Sequence, residues 1–225
     1  MNEIKALVKN IDPWDSVIDK EGICLYNLAR QVLGGYCIVE IGSWKGRSTT
    51  WLARGSQDGD RVPVFAIDPH ENTTTHAQYD SKGTYEEFIA NIKRAGVENI
   101  VHPIRDRAET VLPSWDKRIG LLFIDGSHDY NSVKQDFLWT RHLAPGGIVA
   151  LHDTTGYDGP RRVTVEEIFK SGWFKNPWVC GKITYTVKRS RQGLPSSTAL
   201  FTLWNIYRMM YQVRGPVAKA KRRLG

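Results

Sequence analysis

A chain of 225 residues, 41% hydrophobic and 24% charged, is long enough for one α/β domain with a full core plus terminal additions. No apolar run approaches the roughly 18 residues needed to span a bilayer, and the opening MNEIKALVKNIDPWD lacks the continuous apolar core of a secretory signal. The net charge of +7 is unevenly spread: twelve Lys and Arg and no Asp or Glu follow Glu167, against 19 basic and 24 acidic residues up to that point. The last quarter is therefore built to meet, or to tolerate, something anionic.

Residues 1–20, with Pro13, read as an irregular arm or short helix. Glu21 to Leu33 has helical apolar spacing and stops at Gly34-Gly35. Cys37 to Ile41 (CIVEI) reads as a short buried strand running into GSWKGRSTTWLARG, a glycine loop that opens a helix from about Arg47 to Ala53. Such a loop lets backbone approach a ligand and presents free N–H groups at the helix start. Its spacing, Glu40-x-Gly42-x-x-x-Gly46, is not the dinucleotide fingerprint, so alone it is weak evidence. Val62 to Ile67 is the next strand, with Asp68 at its C-terminal end, 22 residues past Gly46. An acid at that distance can accept hydrogen bonds from ribose hydroxyls, or can be a turn aspartate before Pro69. His70 to Gly83 is polar and aperiodic, a lid over the site or a plain surface loop. An amphipathic helix over Thr84 to Ala95 and a third strand, Ile100 to Ile104, follow; His102 reads as a packed strand residue. Asp106-Arg107-Ala108 lies where a cofactor base could sit.

The organising stretch is Leu121 to Thr155. Strands at Leu121–Ile124 and Ile148–Leu151 flank a helix over Tyr130–Leu143, with Pro145-Gly146-Gly147 as its stop, which makes a right-handed parallel crossover unit. Parallel neighbours bring their C-terminal ends to one edge, about 4.8 Å apart. Asp125 with His128, and His152 with Asp153, therefore meet there. Two aspartates and His152 can hold a divalent cation, with carboxylates favouring Mg²⁺, Ca²⁺ or Mn²⁺ and imidazole tilting the choice toward transition metals such as Fe²⁺. His128 can then take a proton as general base. The bland alternative is that both aspartates merely cap the helices that follow. Beyond this unit, Arg161–Lys170 reads as a helix, Trp178–Cys180 and Ile183–Lys188 as a terminal hairpin, and Ala199–Val213 as a nearly all-round apolar helix ahead of a basic tail, Lys219–Arg223. The three cysteines, Cys24, Cys37 and Cys180, make an odd count without metal-type spacing. Cys37 and Cys180 lie in apolar runs and read as buried free thiols, which fits a reducing cytoplasm.

The motifs Glu40-Ile-Gly-Ser-Trp-Lys-Gly-Arg-Ser48, Ile67-Asp68, Phe123-Ile-Asp-Gly-Ser-His-Asp-Tyr130, Pro145-Gly-Gly and Leu151-His-Asp-Thr154 together resemble a class I S-adenosylmethionine-dependent methyltransferase. The branch most resembled holds the metal-dependent small-molecule and sugar O-methyltransferases of antibiotic biosynthesis and cephalosporin hydroxylase-like proteins. The resemblance covers about residues 35–155. The β-α-β-α alternation through residue 153 independently implies a doubly wound, mostly parallel Rossmann-like sheet, and the last two strands a terminal antiparallel hairpin. The expected organisation is a methyltransferase domain at 35–190, preceded by a helical cap (1–34) and followed by the apolar helix and basic tail (191–225), which lie outside the resemblance. By that resemblance, Glu40, Gly42 and Gly46 would surround the methionine part of the cofactor and Asp68 the ribose, with Ser43, Ser48, Asp106 and Ala108 completing the candidate set. Asp125 and Asp153 would hold a divalent cation, usually Mg²⁺. His152 stands where related enzymes more often carry Glu or Asp, and His128 matches a proposed base.

The expected acceptor is a glycan or other polyhydroxylated small molecule. The runner-up readings are a metal-dependent oxygenase and a non-catalytic cofactor-binding docking protein. The C-terminal helix packs on the domain, joins a homo-oligomer interface, or lies on an anionic membrane surface at the inner face of the membrane. Nucleic acid is the weaker partner, because the positive charge clusters at the chain end, outside the cofactor crevice.

Overall fold

The computed structural model describes residues 1–11, 18–71 and 84–223. Most of the proposed lid, 72–83, and part of the N-terminal arm, 12–17, lie outside the described residues.

Seven strands form one sheet: β1 (Cys37–Ile41), β2 (Val64–Ile67), β3 (Val101–Ile104), β4 (Ile119–Ile124), β5 (Leu143–Leu151), β6 (Phe174–Cys180) and β7 (Ile183–Lys188). Their order is β3-β2-β1-β4-β5-β7-β6. The first five run parallel, β7 is antiparallel to β5, and β6 is antiparallel to β7. The central strands are short continuous apolar runs because helices cover both faces. Against one face lie α1 (Asn2–Lys9), α2 (Asp19–Ala29), α3 (Arg47–Gln57) and α4 (Tyr85–Arg94), around Leu25, Trp51, Leu52 and Phe88. Against the other lie α5 (Ala108–Val111), α6 (Tyr130–Phe137), α7 (Asp158–Val163) and α8 (Thr198–Arg223), around Phe137, Trp139, Phe169 and Trp204. The expected mostly parallel sheet with a closing antiparallel hairpin is the fold observed.

Several boundaries differ, for local reasons. Helix α6 stops at Phe137 and tightens into a 3-10 turn over Leu138–Arg141. Pro145-Gly146-Gly147 is not a helix stop but lies inside β5. There the register jumps from Ile119↔Leu143 to Leu121↔Ile148, and Gly146 at φ +82° absorbs the extra residues as a bulge. Helix α3 runs on through Gly55 to Gln57, because a side chain at 55 would collide with the Tyr26 backbone of α2. The hairpin's first strand begins at Phe174, and its Pro177 is tolerated because β6 is an edge strand with a register shift between Lys175 and Trp178. The helix expected over Arg161–Lys170 is α7 continued as π-helix over Thr164–Phe169.

Candidate active site

The order of the sheet puts the switch point between β1 and β4, and the C-terminal ends of the parallel strands form one rim. The rim is tied by backbone hydrogen bonds: Gly42 N–H to Ile67 O at 2.9 Å, Asp125 N–H to Ile41 O at 2.8 Å, and His152 N–H to Ile124 O at 3.0 Å. Gly42 sits at φ +85°, and any Cβ there would strike the Asp125 carbonyl, so only glycine lets the two strand ends approach this closely.

The glycine loop turns over the rim and opens α3, with Gly46 as its left-handed N-cap. Asp68 anchors this loop. Its Oδ2 accepts Ser43 N–H at 2.9 Å and Trp44 N–H at 2.8 Å, and its Oδ1 accepts His70 N–H at 2.7 Å. The buried Ser43 hydroxyl has no hydrogen-bond partner among the described residues. A buried orphan hydroxyl in this loop suits a polar ligand. Glu40 is fully buried in β1 and accepts a hydrogen bond from the Thr49 hydroxyl of α3. Ser48 is buried in the first turn of α3. Ala108 is buried beside Ile41, Ile67 and Ile124 beneath the rim, whereas Asp106 is exposed and accepts Arg107 N–H at 2.7 Å. His102 is exposed on the edge strand β3, its ring stacked on Phe65.

Across the crevice the ends of β4 and β5 build a charged cluster. Asp153, at φ +54° in the left-handed region that few non-glycine residues adopt, turns its buried carboxylate back into the rim. Its Oδ2 lies 2.9 Å from His128 Nε2 and 3.4 Å from His152 Nδ1, and its Oδ1 accepts Lys182 Nζ at 2.9 Å. His152 is fully buried, with Nδ1 2.9 Å from Asp125 Oδ1 and Nε2 3.2 Å from Glu21 Oε2. Burial alone would lower its pKa, but Asp125, Asp153 and Glu21 together raise the imidazole well above its ordinary value. Burial likewise works to raise Asp153, yet hydrogen bonds from His128 and His152 and the charges on His152 and Lys182 hold it well below the carboxylate range. Lys182 is raised, the neighbouring Asp153 outweighing burial. The His128 ring stacks face to face on Tyr157, 3.9 Å between centroids, and remains partly open to solvent.

One ligand atom each from Asp125, His152 and Asp153 lie within 4.8 Å of one another. Ligands about 2.1 Å from a common ion lie at most about 4.2 Å apart, so a cluster of this width must draw in slightly to share one ion. Glu21 on the far nitrogen of His152 reproduces the carboxylate that orients metal-bound histidines. Three carboxylates face two cationic side chains, which leaves a formal charge of −1 before His128 is counted. The donor set and the charge both suit a divalent cation, whose capture by Nδ1 would release the His152 proton.

A model of the methyltransferase domain matches residues 39–154, just over half of the chain and all of the crevice's strand ends. The chain belongs to the methyltransferase-domain family. Among curated proteins this methyltransferase-family chain resembles the uncharacterized protein y4gI of Sinorhizobium fredii (strain NBRC 101917 / NGR234). The two are 29% identical over 120 residues, 52% of this chain but only 13% of that protein's length. Its fold is similar to that of cofactor-bound Rv0187 from MTB, at TM-score 0.62 and 21% identity over 84% of this chain and 89% of that one. It is also similar to the O-methyltransferase TomG from Streptomyces achromogenes, involved in tomaymycin synthesis and solved in complex with SAM. There the TM-score is 0.61 with 21% identity over the same shares of the two chains.

Three members of the methyltransferase's charged cluster carry no sequence signal of their own. Glu21 sits in a helix 104 residues before Asp125, Lys182 in the hairpin turn, and Tyr157 past the last motif; only the tertiary fold collects them. Asp136 of α6 is a further silent acid. It is buried close to Gly126, and burial first, then Glu109, push its carboxyl up to about 7. The folded state thus keeps a proton that the unfolded chain releases at about pH 3.9. Asp136's contribution to stability is fully present below about pH 4 and is lost as the pH climbs through about 7. Asp136→Asn is therefore expected to be more stable than the parent at pH 8, by on the order of 2 kcal/mol, with the gap closing below about pH 4. Urea midpoints at the two pH values check this.

Proposed function

We propose that the protein is an S-adenosylmethionine-dependent O-methyltransferase acting on a hydroxyl of a sugar, glycan or other polyhydroxylated small molecule, with a divalent cation assisting. The observation that carries the reading is the convergence at one rim of a glycine loop, whose buried Ser43 hydroxyl is unpartnered among the described residues, and a His128–Asp153 pair. The polar methionine end of the cofactor needs hydrogen-bonding groups and the acceptor a base, and the two features support both roles within one crevice.

In this reading the hydroxyls of Ser43 and Ser48 receive the methionine portion, with Glu40, Gly42 and Gly46 shaping the turn. Asp68 keeps lone pairs beyond its loop contacts for the ribose hydroxyls, and Asp106 and Ala108 border the base. Asp125, His152 and Asp153 would hold the cation, Mg²⁺ first, with Mn²⁺ or Fe²⁺ favoured by the imidazole. When bound, such an ion polarises and orients acceptor oxygens. His128 takes the acceptor hydroxyl's proton on the nitrogen turned away from Asp153, and Asp153 stabilises the imidazolium that forms. The acceptor oxygen bonds to the methyl carbon as the carbon–sulfur bond breaks, and S-adenosylhomocysteine leaves; positioning in line supplies much of the rate. The half-exposed Tyr157 ring, stacked on His128, gives a sugar's C–H face a surface to rest on.

Calorimetric titration with S-adenosylmethionine, with Mg²⁺ and then with EDTA, tests the reading. Micromolar binding is expected, weakened about 10- to 100-fold in Asp68→Ala as charge-assisted hydrogen bonds are lost. Absence of binding in both conditions would overturn the assignment. Heat of binding for Mg²⁺ that vanishes in Asp125→Ala would identify the cation's ligands independently of turnover.

A further inference from the structure

Helix α8 has two unlike faces. Trp204 is 3% exposed, its Nε1–H donating to Thr184 Oγ1 at 3.0 Å, and Phe201 and Trp204 pack on Phe169 at 5.4 Å. This face fastens the helix to the domain beside β6 and β7. The other face carries Leu203, Ile206 and Met210 within about 60° of one another around the axis, flanked by Leu200 on one side and Met209 on the other, all 37% to 62% exposed. Scattered surface apolar residues need no explanation, but five on one half of a helix do.

Charge identifies what covers this face. Across Thr198–Arg223 the helix has six Lys and Arg and no acidic residue, within a stretch free of Asp and Glu from Ile168 onward. A second copy laid against the stripe would bring another six positive charges alongside the first. Nucleic acid would answer the charge but leave the apolar face in water. A lipid surface with anionic headgroups answers both. Among the described residues no helix is long and apolar enough to cross a membrane, so the arrangement suits a helix lying in the interface. We infer that α8 docks the protein on an anionic lipid bilayer, its apolar stripe entering the headgroup–acyl boundary and its basic residues meeting the lipid phosphates. The inference is independent of the methyl-transfer reading.

Flotation of the whole chain with vesicles of phosphatidylcholine alone, and of phosphatidylcholine mixed with phosphatidylglycerol, is the test. Binding is expected only to the anionic vesicles, falling as salt rises. Leu203→Glu should weaken it about tenfold or more, and Lys221→Glu with Arg222→Glu by roughly fivefold per residue. Leu203 is exposed, so its replacement should leave the thermal midpoint unchanged, which shows that the fold survives. Equal binding to both vesicles, binding to neither, or anionic binding that survives Leu203→Glu would overturn the proposal. So would a stable dimer in sedimentation that Leu203→Glu splits, which would assign the stripe to a second copy.

Discussion

Replacing His128 by Ala is expected to lower kcat about 10²- to 10⁴-fold, the range for loss of a general base, with S-adenosylmethionine affinity unchanged. The expectation rests on where the ring stands. Asp153 fixes Nε2 at 2.9 Å, Tyr157 fixes the ring plane, and the side chain is still partly open on the crevice side. A ring held at one nitrogen by a buried carboxylate presents the other nitrogen in a defined direction, which is the geometry a proton acceptor needs. The hydrogen bonds that hold Ser43 and Trp44 of the glycine loop run to Asp68, so the cofactor arm should be indifferent to the change. Release of S-adenosylhomocysteine on an acceptor found by screening, beside calorimetry with the cofactor, separates the two effects. Unchanged turnover removes His128 from the chemistry. A parallel loss of cofactor affinity would instead mean that the ring helps to build the crevice.

Much of this site was legible in the residues because its parts fall at strand ends. A short apolar run ending in a polar residue announces both the strand and the rim, and FAI-Asp68, LFI-Asp125 and VAL-His152 all have that form, while CIVEI runs into the glycine loop. Parallel pairing then brings the polar ends together without further information. What stayed hidden depends on tertiary contacts. The stop expected at Pro145-Gly146-Gly147 fails because a strand bulge can use the same residues as a turn, and only the β4 partner decides. Gly55 looks like a helix end until α2 is packed against it. Asp68, read from spacing as a ribose acceptor, accepts hydrogen bonds from three backbone N–H groups, which no spacing rule foretells. Glu21 and Lys182 carry ordinary helix and turn signals, and their place in the cluster comes from the fold's closing hairpin lying over α2.

Glu21→Ala should therefore destabilise the fold by about 3–5 kcal/mol, the cost of breaking a buried ion pair from one side. Glu21 is fully buried, and its carboxylate has three partners. Oε2 accepts Ile18 N–H at 3.1 Å and faces His152 Nε2 at 3.2 Å, while Oε1 accepts Lys182 N–H at 2.7 Å. Removing it strands two backbone donors and takes one of three anions from a buried imidazole whose protonation those anions sustain. Gly181, at φ +63°, packs so closely on the Glu21 side chain that a Cβ there would strike it, so the carboxylate is also part of the packing between α2 and the hairpin. Glu21→Gln keeps one acceptor oxygen and sets its NH2 against the other donor, so it strands one backbone N–H instead of two; its loss should be smaller, about 1–3 kcal/mol, and the variant should fold. That variant separates a structural role from a positioning one. If Glu21 orients His152 toward a cation, Mn²⁺ affinity in Glu21→Gln should fall about 10- to 100-fold while S-adenosylmethionine binding persists. If Glu21 only ties α2 to the hairpin, urea midpoints move and the Mn²⁺ titration does not. The first result would make a helix far from the motifs part of the catalytic apparatus, reaching it through a single imidazole.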